Sequence, residues 1–219
     1  RQKVLISILG SFIVILSILF CITYHYFVKK IETGNEKVVL MTFEQAEKNL
    51  KNVLENAELC LDKYVTNDLI WDYKNDYPET DVESNKLKVR ITDSFIDEMA
   101  VNRELSALGF LRGDGWGIVS SAFRKNRTGN TQISGKLLKI LRQSKDVYPY
   151  TTWLPSWELN LNNDSPLRLM TQNASLIGIK ALGENSELEK DGYLIVAVSE
   201  SNLQSTYRSV AFDDSTAVL

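Results

Sequence analysis

From Val4 to Val28 the chain carries no residue of fixed charge, and this run of 25 positions constrains the rest of the sequence. As a helix rising about 1.5 Å per residue it spans roughly 37 Å, against a membrane hydrocarbon core of about 30 Å. A cleaved secretory signal has a shorter apolar region, about 7–15 residues, and ends at a small-residue site. Here the run closes on Tyr24, His25, Tyr26 and Phe27, followed by Lys29 and Lys30. Rings and lysines in that order suit an interfacial belt with snorkelling anchors, so residues 4–28 are expected to be an uncleaved transmembrane helix in the lipid bilayer. Each flank has two basic residues, Arg1 and Lys3 before the run and Lys29 and Lys30 after it, so the positive-inside count is a tie. The acidic body breaks it, which places residues 1–3 in the cytoplasm and residues 31–219 outside the cell.

All 28 acidic residues follow position 30, together with 21 basic ones, which leaves residues 31–219 with a net charge of −7. That balance argues against a nucleic-acid or anionic-lipid surface on this part, since either needs a basic footprint. With 44% apolar residues the chain has the composition of a folded protein, and two cysteines cannot staple a scaffold of this size. Cys21 lies in the apolar run and Cys60 on an expected helix, so no disulfide is implied. His25 is the sole histidine. A transition-metal site or a His-dependent triad therefore has nothing to stand on.

Beyond the membrane run the pattern is helical. Phe43, Ala46, Leu50, Val53, Ala57, Cys60 and Tyr64 follow one another in steps of three and four, an a/d seam over three heptads. Two readings stay open, a face packed on its own domain and a parallel dimer seam; Gly34, costing about 1 kcal/mol relative to Ala, weakens the link back to the membrane. Residues 29–74 are expected to form one long juxtamembrane helix, and the polar stretch from Asn75 to Asn85 with Pro78 a loop. A second helix follows through Leu87, Ile91, Phe95 and Met99. Leu105–Leu111 and Trp116–Ser121 flank a Gly-Asp-Gly turn and predict a hairpin. Thr131–Ser144 has a helical pattern, and Tyr148–Trp157 (YPYTTWLPSW) is expected to be an irregular aromatic loop because Pro149 and Pro155 interrupt it. Leu167–Thr171, Ser175–Leu182 and Gly192–Val198 are expected strands, with a charged loop over Glu184–Asp191, and Ser201 with Gln204 makes a capping box for a short final helix.

That order, α+β with an antiparallel sheet behind a long helix and one transmembrane segment, resembles the double Cache, PAS-like sensor domain found outside the membrane in bacterial sensor histidine kinases. The stretches that carry the resemblance are LGFLRGDGWGIVSS (Leu108–Ser121), YPYTTWLPSW, and GYLIVAVSESNLQSTY (Gly192–Tyr207). It implies a membrane-distal sensor subdomain over residues 75–212, the start of a membrane-proximal part over 213–219, and a fragment of a longer receptor. ATP, Mg2+ and a response regulator are implied only for a kinase module outside these residues. The same kind of sensor occurs ahead of AraC-type regulators and chemoreceptors, and an anchored binding module without output is a further alternative.

No set of acid, base and nucleophile emerges, so no catalytic residue is expected. Gly113, Gly115 and Gly117 sit between two strands, where a phosphate-cradling loop would need a helix N-terminus. Binding character is aromatic: Trp116, Tyr150, Trp153 and Trp157, with Arg112, Asp114 and Arg168 on neighbouring elements, form a candidate small-molecule pocket. The competing reading is that several of these rings fill the core. The expected partners are an extracellular small molecule or a solute-binding protein, and a second copy of the chain in a homodimer through Phe43, Ala46, Leu50, Val53, Ala57 and Tyr64.

Overall fold

The computed structural model describes residues 2–75, 81–122, 125–159, 165–183 and 192–208; the side chains of residues 2–15, 81 and 205–208 fall outside that description. Contacts divide the chain into two units, Arg1–Glu47 and Lys48–Leu219. The first is helical, and helix α1 (Gln2–Val65) passes through Gly34 without a break. Most of its described large apolar side chains, Phe20, Tyr24, Phe27, Leu40 and Phe43 among them, are exposed, while Val28 and Val39 are half-buried and Ala46 is buried. Among the described residues no helix is long and apolar enough to cross a membrane. Half of the expected span, residues 4–15, has no described side chains, so the spanning helix rests on sequence alone.

The second unit is built on a six-stranded sheet: β1 (Leu105–Arg112), β2 (Trp116–Ser121), β3 (Asn126–Asn130), β4 (Thr152–Pro155), β5 (Ala174–Ala181) and β6 (Gly192–Ser199). The spatial order is β3-β2-β1-β6-β5-β4 and every pairing is antiparallel, which makes the fold α+β. Strand β6 lies inside the sheet and is buried throughout. Leu194, Val196 and Val198 pack into one core cluster, while Tyr193, Ile195 and Ala197 pack into the other. A strand covered on both faces reads as an unbroken apolar run, and GYLIVAVS does.

Helices cover one face: the C-terminal part of α1, α2 (Asp68–Asn75) and α3 (Asp81–Val101). Val53, Ala57, Leu61, Tyr64, Ile91 and Phe95 meet Leu108, Phe110 and Val196 there. Edge-on ring pairs join Tyr64 to Phe95 at 5.0 Å and Tyr73 to Phe110 at 5.8 Å between centroids. Helix α4 (Gly135–Asp146) and a 3-10 segment, Pro166–Thr171, cover the other face, with Leu137, Leu141, Leu167 and Met170 over Leu111, Val119, Ile177 and Ile195. Helix α5 (Glu200–Arg208) follows β6 directly.

Several local expectations are corrected. The helix expected over 29–74 is two: Asn67 stops α1 and starts α2, accepting from Leu69 N through Oδ1 at 2.9 Å, while the Trp71 indole donates to the Val65 carbonyl at 2.6 Å. The terminal groups of both helices thereby find partners. The polar stretch is shorter than Asn75–Asn85, because α3 begins at Asp81; residues 76–80 are outside the described ones. Leu167–Thr171 is not a strand. Ser165 caps it by accepting from Leu167 N at 3.2 Å, and Pro166 fixes the first helical φ, so the segment coils into a 3-10 turn. The aromatic loop contains β4, an edge strand that tolerates Pro155. Strand β3 was not expected, since NRTGN has no apolar alternation. The final helix opens at Glu200, and Gln204 bonds Glu200 Oε1 at 3.1 Å, so the Ser201 capping box does not form. The charged loop over 184–191 and residues 213–219 lie outside the described residues.

Candidate functional site

The β1–β2 turn gathers three of the residues singled out from sequence. Arg112 Nη2 donates to Asp114 Oδ2 at 2.5 Å, and Asp114 Oδ1 accepts from Trp116 N at 3.0 Å. The Lys88 ammonium of α3 sits 5.5 Å from the Trp116 ring centroid. Gly115, at φ +95°, makes the turn possible: a Cβ there would lie 2.6 Å from the Thr131 carbonyl oxygen. Asp114 is thus committed to shaping the turn.

The other four are placed elsewhere. Trp153 lies on β4, at the far side of the sheet beyond β6 and β5. Its ring covers Gly178, where a Cβ would come within 3.0 Å of two ring carbons, and its Nε1 donates to Glu58 Oε1 of α1 at 3.0 Å. Trp153 therefore ties an edge strand to a helix. Tyr150 and Trp157, before and after β4, are 75% and 76% exposed, so neither is a core ring. Arg168 belongs to the 3-10 segment, which packs on the opposite face from Trp153. The seven residues do not line one pocket.

The seam on α1 also divides. Phe43 is 67% exposed and Ala46 is buried, whereas Val53, Ala57, Cys60 and Tyr64 are buried in the core of their own domain and Leu50 packs against it. Those four face the sheet and are not available to a second copy. Polar contacts fix this end of α1. Asp62 pairs with Lys180 of β5, Lys63 pairs with Glu98 of α3, and the Tyr64 hydroxyl donates to the Ser94 carbonyl at 2.8 Å. Asn102 Nδ2 holds the other Glu98 oxygen at 2.6 Å. Burial, followed by the nearby Glu98 charge, pushes the Cys60 thiol up to about 12, and burial raises the Tyr64 phenol. The hydrogen bond to Glu98 raises Lys63. A thiol held neutral in this way is inert.

A polar cleft that the sequence did not suggest opens where β1 begins and β6 ends. Its volume is about 620 Å3, and Arg103, Ser106, Asn173, Ser199, Glu200 and Asn202 line it. Register shifts in β1 at Leu105/Ala107 and in β5 at Ala174/Leu176 flank β6 at this end, and Asn173 adopts a left-handed φ of 57°. The Ser199 and Ser201 hydroxyls are 2.9 Å apart, Asn202 Nδ2 donates to the Arg103 carbonyl, and Glu200 N donates to Asn173 O at 2.9 Å. The cleft brings one guanidinium, one carboxylate, amides and hydroxyls together from three stretches of the sequence, around Arg103, Asn173 and Glu200, so only the folded sheet assembles it. Among the described residues no group of three His, Cys, Asp or Glu side chains is placed to hold a metal ion.

No family model matches the chain, and no curated protein does. Among solved structures, the fold is similar to one described as the "extracellular domain of the putative histidine kinase vpHK1S-Z8", with a TM-score of 0.51 and 12% sequence identity. The match covers 78% of this chain and 60% of that one, so the present chain spans less than two thirds of its neighbour.

Proposed function

We propose that this chain is the sensory part of a membrane-bound signal-transduction protein of the double Cache type, a two-component sensor histidine kinase whose output module lies outside these residues. The observation that supports it is the similarity of the fold to the one described as the "extracellular domain of the putative histidine kinase vpHK1S-Z8". In this reading residues 4–28 anchor the chain, residues 31–219 face the cell exterior, and the chain works as a homodimer through the exposed part of α1 around Phe43. The extracellular ligand is a small polar solute bound in the cleft of Arg103, Asn173, Ser199, Glu200 and Asn202, since a guanidinium and a carboxylate flanked by amides and hydroxyls suit a compact solute bearing both charges. Both faces of the sheet are filled by the chain's own side chains, which favours the cleft over the aromatic positions Trp116 and Trp153. Such a ligand biases the output only by its preference for one state of the receptor, about 1.4 kcal/mol for each factor of ten.

The test is a thermal-shift screen of the full chain in detergent against amino acids, organic acids and sugars. A zwitterionic solute is expected to raise the Tm of the wild type and to lose that effect in Arg103→Ala and Glu200→Gln. Equal shifts in wild type and both variants would remove the cleft from the proposal. Release of the chain from membranes by alkaline carbonate would remove the anchor.

A further inference from the structure

Between Asp114 and Asp146 the sequence has no carboxylate side chain and seven basic residues, one third of the 21 that follow Lys30. The rest of the body carries 14 basic against 28 acidic groups. The local surplus surfaces on α4. Lys136, Lys139 and Arg142 are exposed there at steps of three residues, about 4.5 Å of axial rise apiece. Among the described residues the ion pairs are Lys51–Glu55, Lys63–Glu98, Arg112–Asp114 and Lys180–Asp62, and none involves these three cations.

The placement works against α4 itself. Ser134 caps the helix by accepting from Leu137 N at 3.2 Å, yet the first turn holds Lys136 and no acidic residue, so a positive charge sits at the positive end of the helix dipole. A local rule broken with no ion pair among the described residues to offset it points outward. Beside the cations runs a shallow groove of about 330 Å3, lined by Gly135, Leu138, Lys139, Arg142, Gln143 and Asp146. Just past the end of α4 the chain exposes Val147 and Tyr150, and the Tyr150 N–H donates to the Val147 carbonyl at 2.9 Å.

We infer that the outer face of α4, continued by Tyr150, docks an acidic, partly apolar peptide segment of a partner protein. Carboxylates of the segment engage Lys136, Lys139 and Arg142, and separate apolar side chains reach Leu138 and, past the end of the helix, the Tyr150 ring. Charge complementarity selects an anion, and the mixed lining selects among anions. A phosphate polymer or lipid headgroup has nothing to set on Leu138 or Tyr150, whereas arginine and tyrosine beside an apolar patch are the residues protein interfaces favour. This surface is separate from the solute cleft and does not depend on the sensor reading.

The experiment measures fluorescence anisotropy of a short labelled peptide of glutamate pairs alternating with leucines, titrated with the full chain in neutral detergent. Saturable binding is expected, weakened at least tenfold in the Lys139→Glu, Arg142→Glu double variant, several-fold in Tyr150→Ala, and steeply by added salt. Lys136→Glu is expected to weaken binding while leaving the Tm of the free chain equal or higher, because it relieves the clash with the dipole; Lys139→Gln with Arg142→Gln serves if the reversal disturbs folding. Binding unchanged in the charge variants would overturn the proposal. So would inorganic polyphosphate or phosphatidylglycerol vesicles binding through the same residues in place of the peptide, or a Lys136→Glu chain that loses stability.

Discussion

On the face covered by α1, α2 and α3 the sheet presents Leu108, Phe110 and Val196, but also Lys180, and the helices answer with Glu58, Asp62 and the Lys63–Glu98 pair. On the face covered by α4 and the 3-10 segment it presents Leu111, Val119, Ile177 and Ile195, and the described hydrogen bonds between buried side chains and their partners there are uncharged, with Ser144 Oγ donating to the Ile179 carbonyl at 3.0 Å and Thr131 meeting Ser165 at 3.1 Å. Two layers of similar apolar content are thus fastened differently. Charged ties respond to pH, salt and single substitutions, whereas aliphatic interdigitation responds only to changes of volume. The helices that lead back towards the N-terminus are therefore on the adjustable side of the sheet.

The largest effect should be common to both faces. Phe110→Ala on the helical side and Ile177→Ala on the other should each cost about 2–5 kcal/mol in urea unfolding, with Phe110 in the upper part of that range. A cost below about 1 kcal/mol for Phe110→Ala would mean that α1 to α3 do not close a true core. An intermediate effect should separate the faces. Asp62→Asn leaves the Lys180 ammonium, whose side chain is 10% exposed, against a neutral amide, and is expected to cost about 1–2 kcal/mol, reduced from a buried pair because Asp62 is itself 54% exposed. The loss should grow smaller in high salt, while Ser144→Ala on the other face should be insensitive to salt.

The smallest effect is alkaline. The Cys60 thiol is raised from an ordinary value of 9.0, so the unfolded chain ionises first and stability present below pH 9 is lost as pH rises towards 12. At pH 10, one unit beyond the ordinary thiol value, the loss relative to neutral pH is on the order of 1 kcal/mol at most. Cys60→Ala should flatten that slope in thermal melts between pH 8 and pH 10. Tyr64 adds in the same direction only above its own ordinary value of 10.0. An unaltered slope in the variant would place Cys60 in contact with water.

What the sequence made legible follows from burial. The unbroken run of β6 and the four-residue repeat from Leu87 to Met99 announce covered surfaces, and the Gly-Asp-Gly turn announces the β1–β2 hairpin. Strand β3 was illegible because an exposed edge strand takes its conformation from hydrogen bonds to β2 and needs no apolar residue of its own. The apolar spacing of Leu167, Leu169 and Met170 suggested a strand, although Ser165 and Pro166 in front of it carried the helical signal. The aromatic positions misled for a different reason: Trp116, Trp153 and Arg168 share a composition suited to a pocket, and only strand order shows that they lie on different edges and faces. The polar cleft draws on residues too far apart for any pattern to connect.

The pairing of β1 with β6 sets the order in which the molecule can assemble. During synthesis β1, β2 and β3 emerge as one antiparallel ribbon and β4 and β5 as another, each with an apolar surface and no partner across the middle. Of the six described strands, the one that joins them is the last to emerge. Until Ser199 has emerged, Phe110 and Ile177 belong to separate half-sheets, and contacts between residues so distant along the chain form slowly. A nascent chain of this kind holds its sheet open until β6 has emerged, so a truncation ahead of Gly192 removes the centre of the sheet and not merely its border.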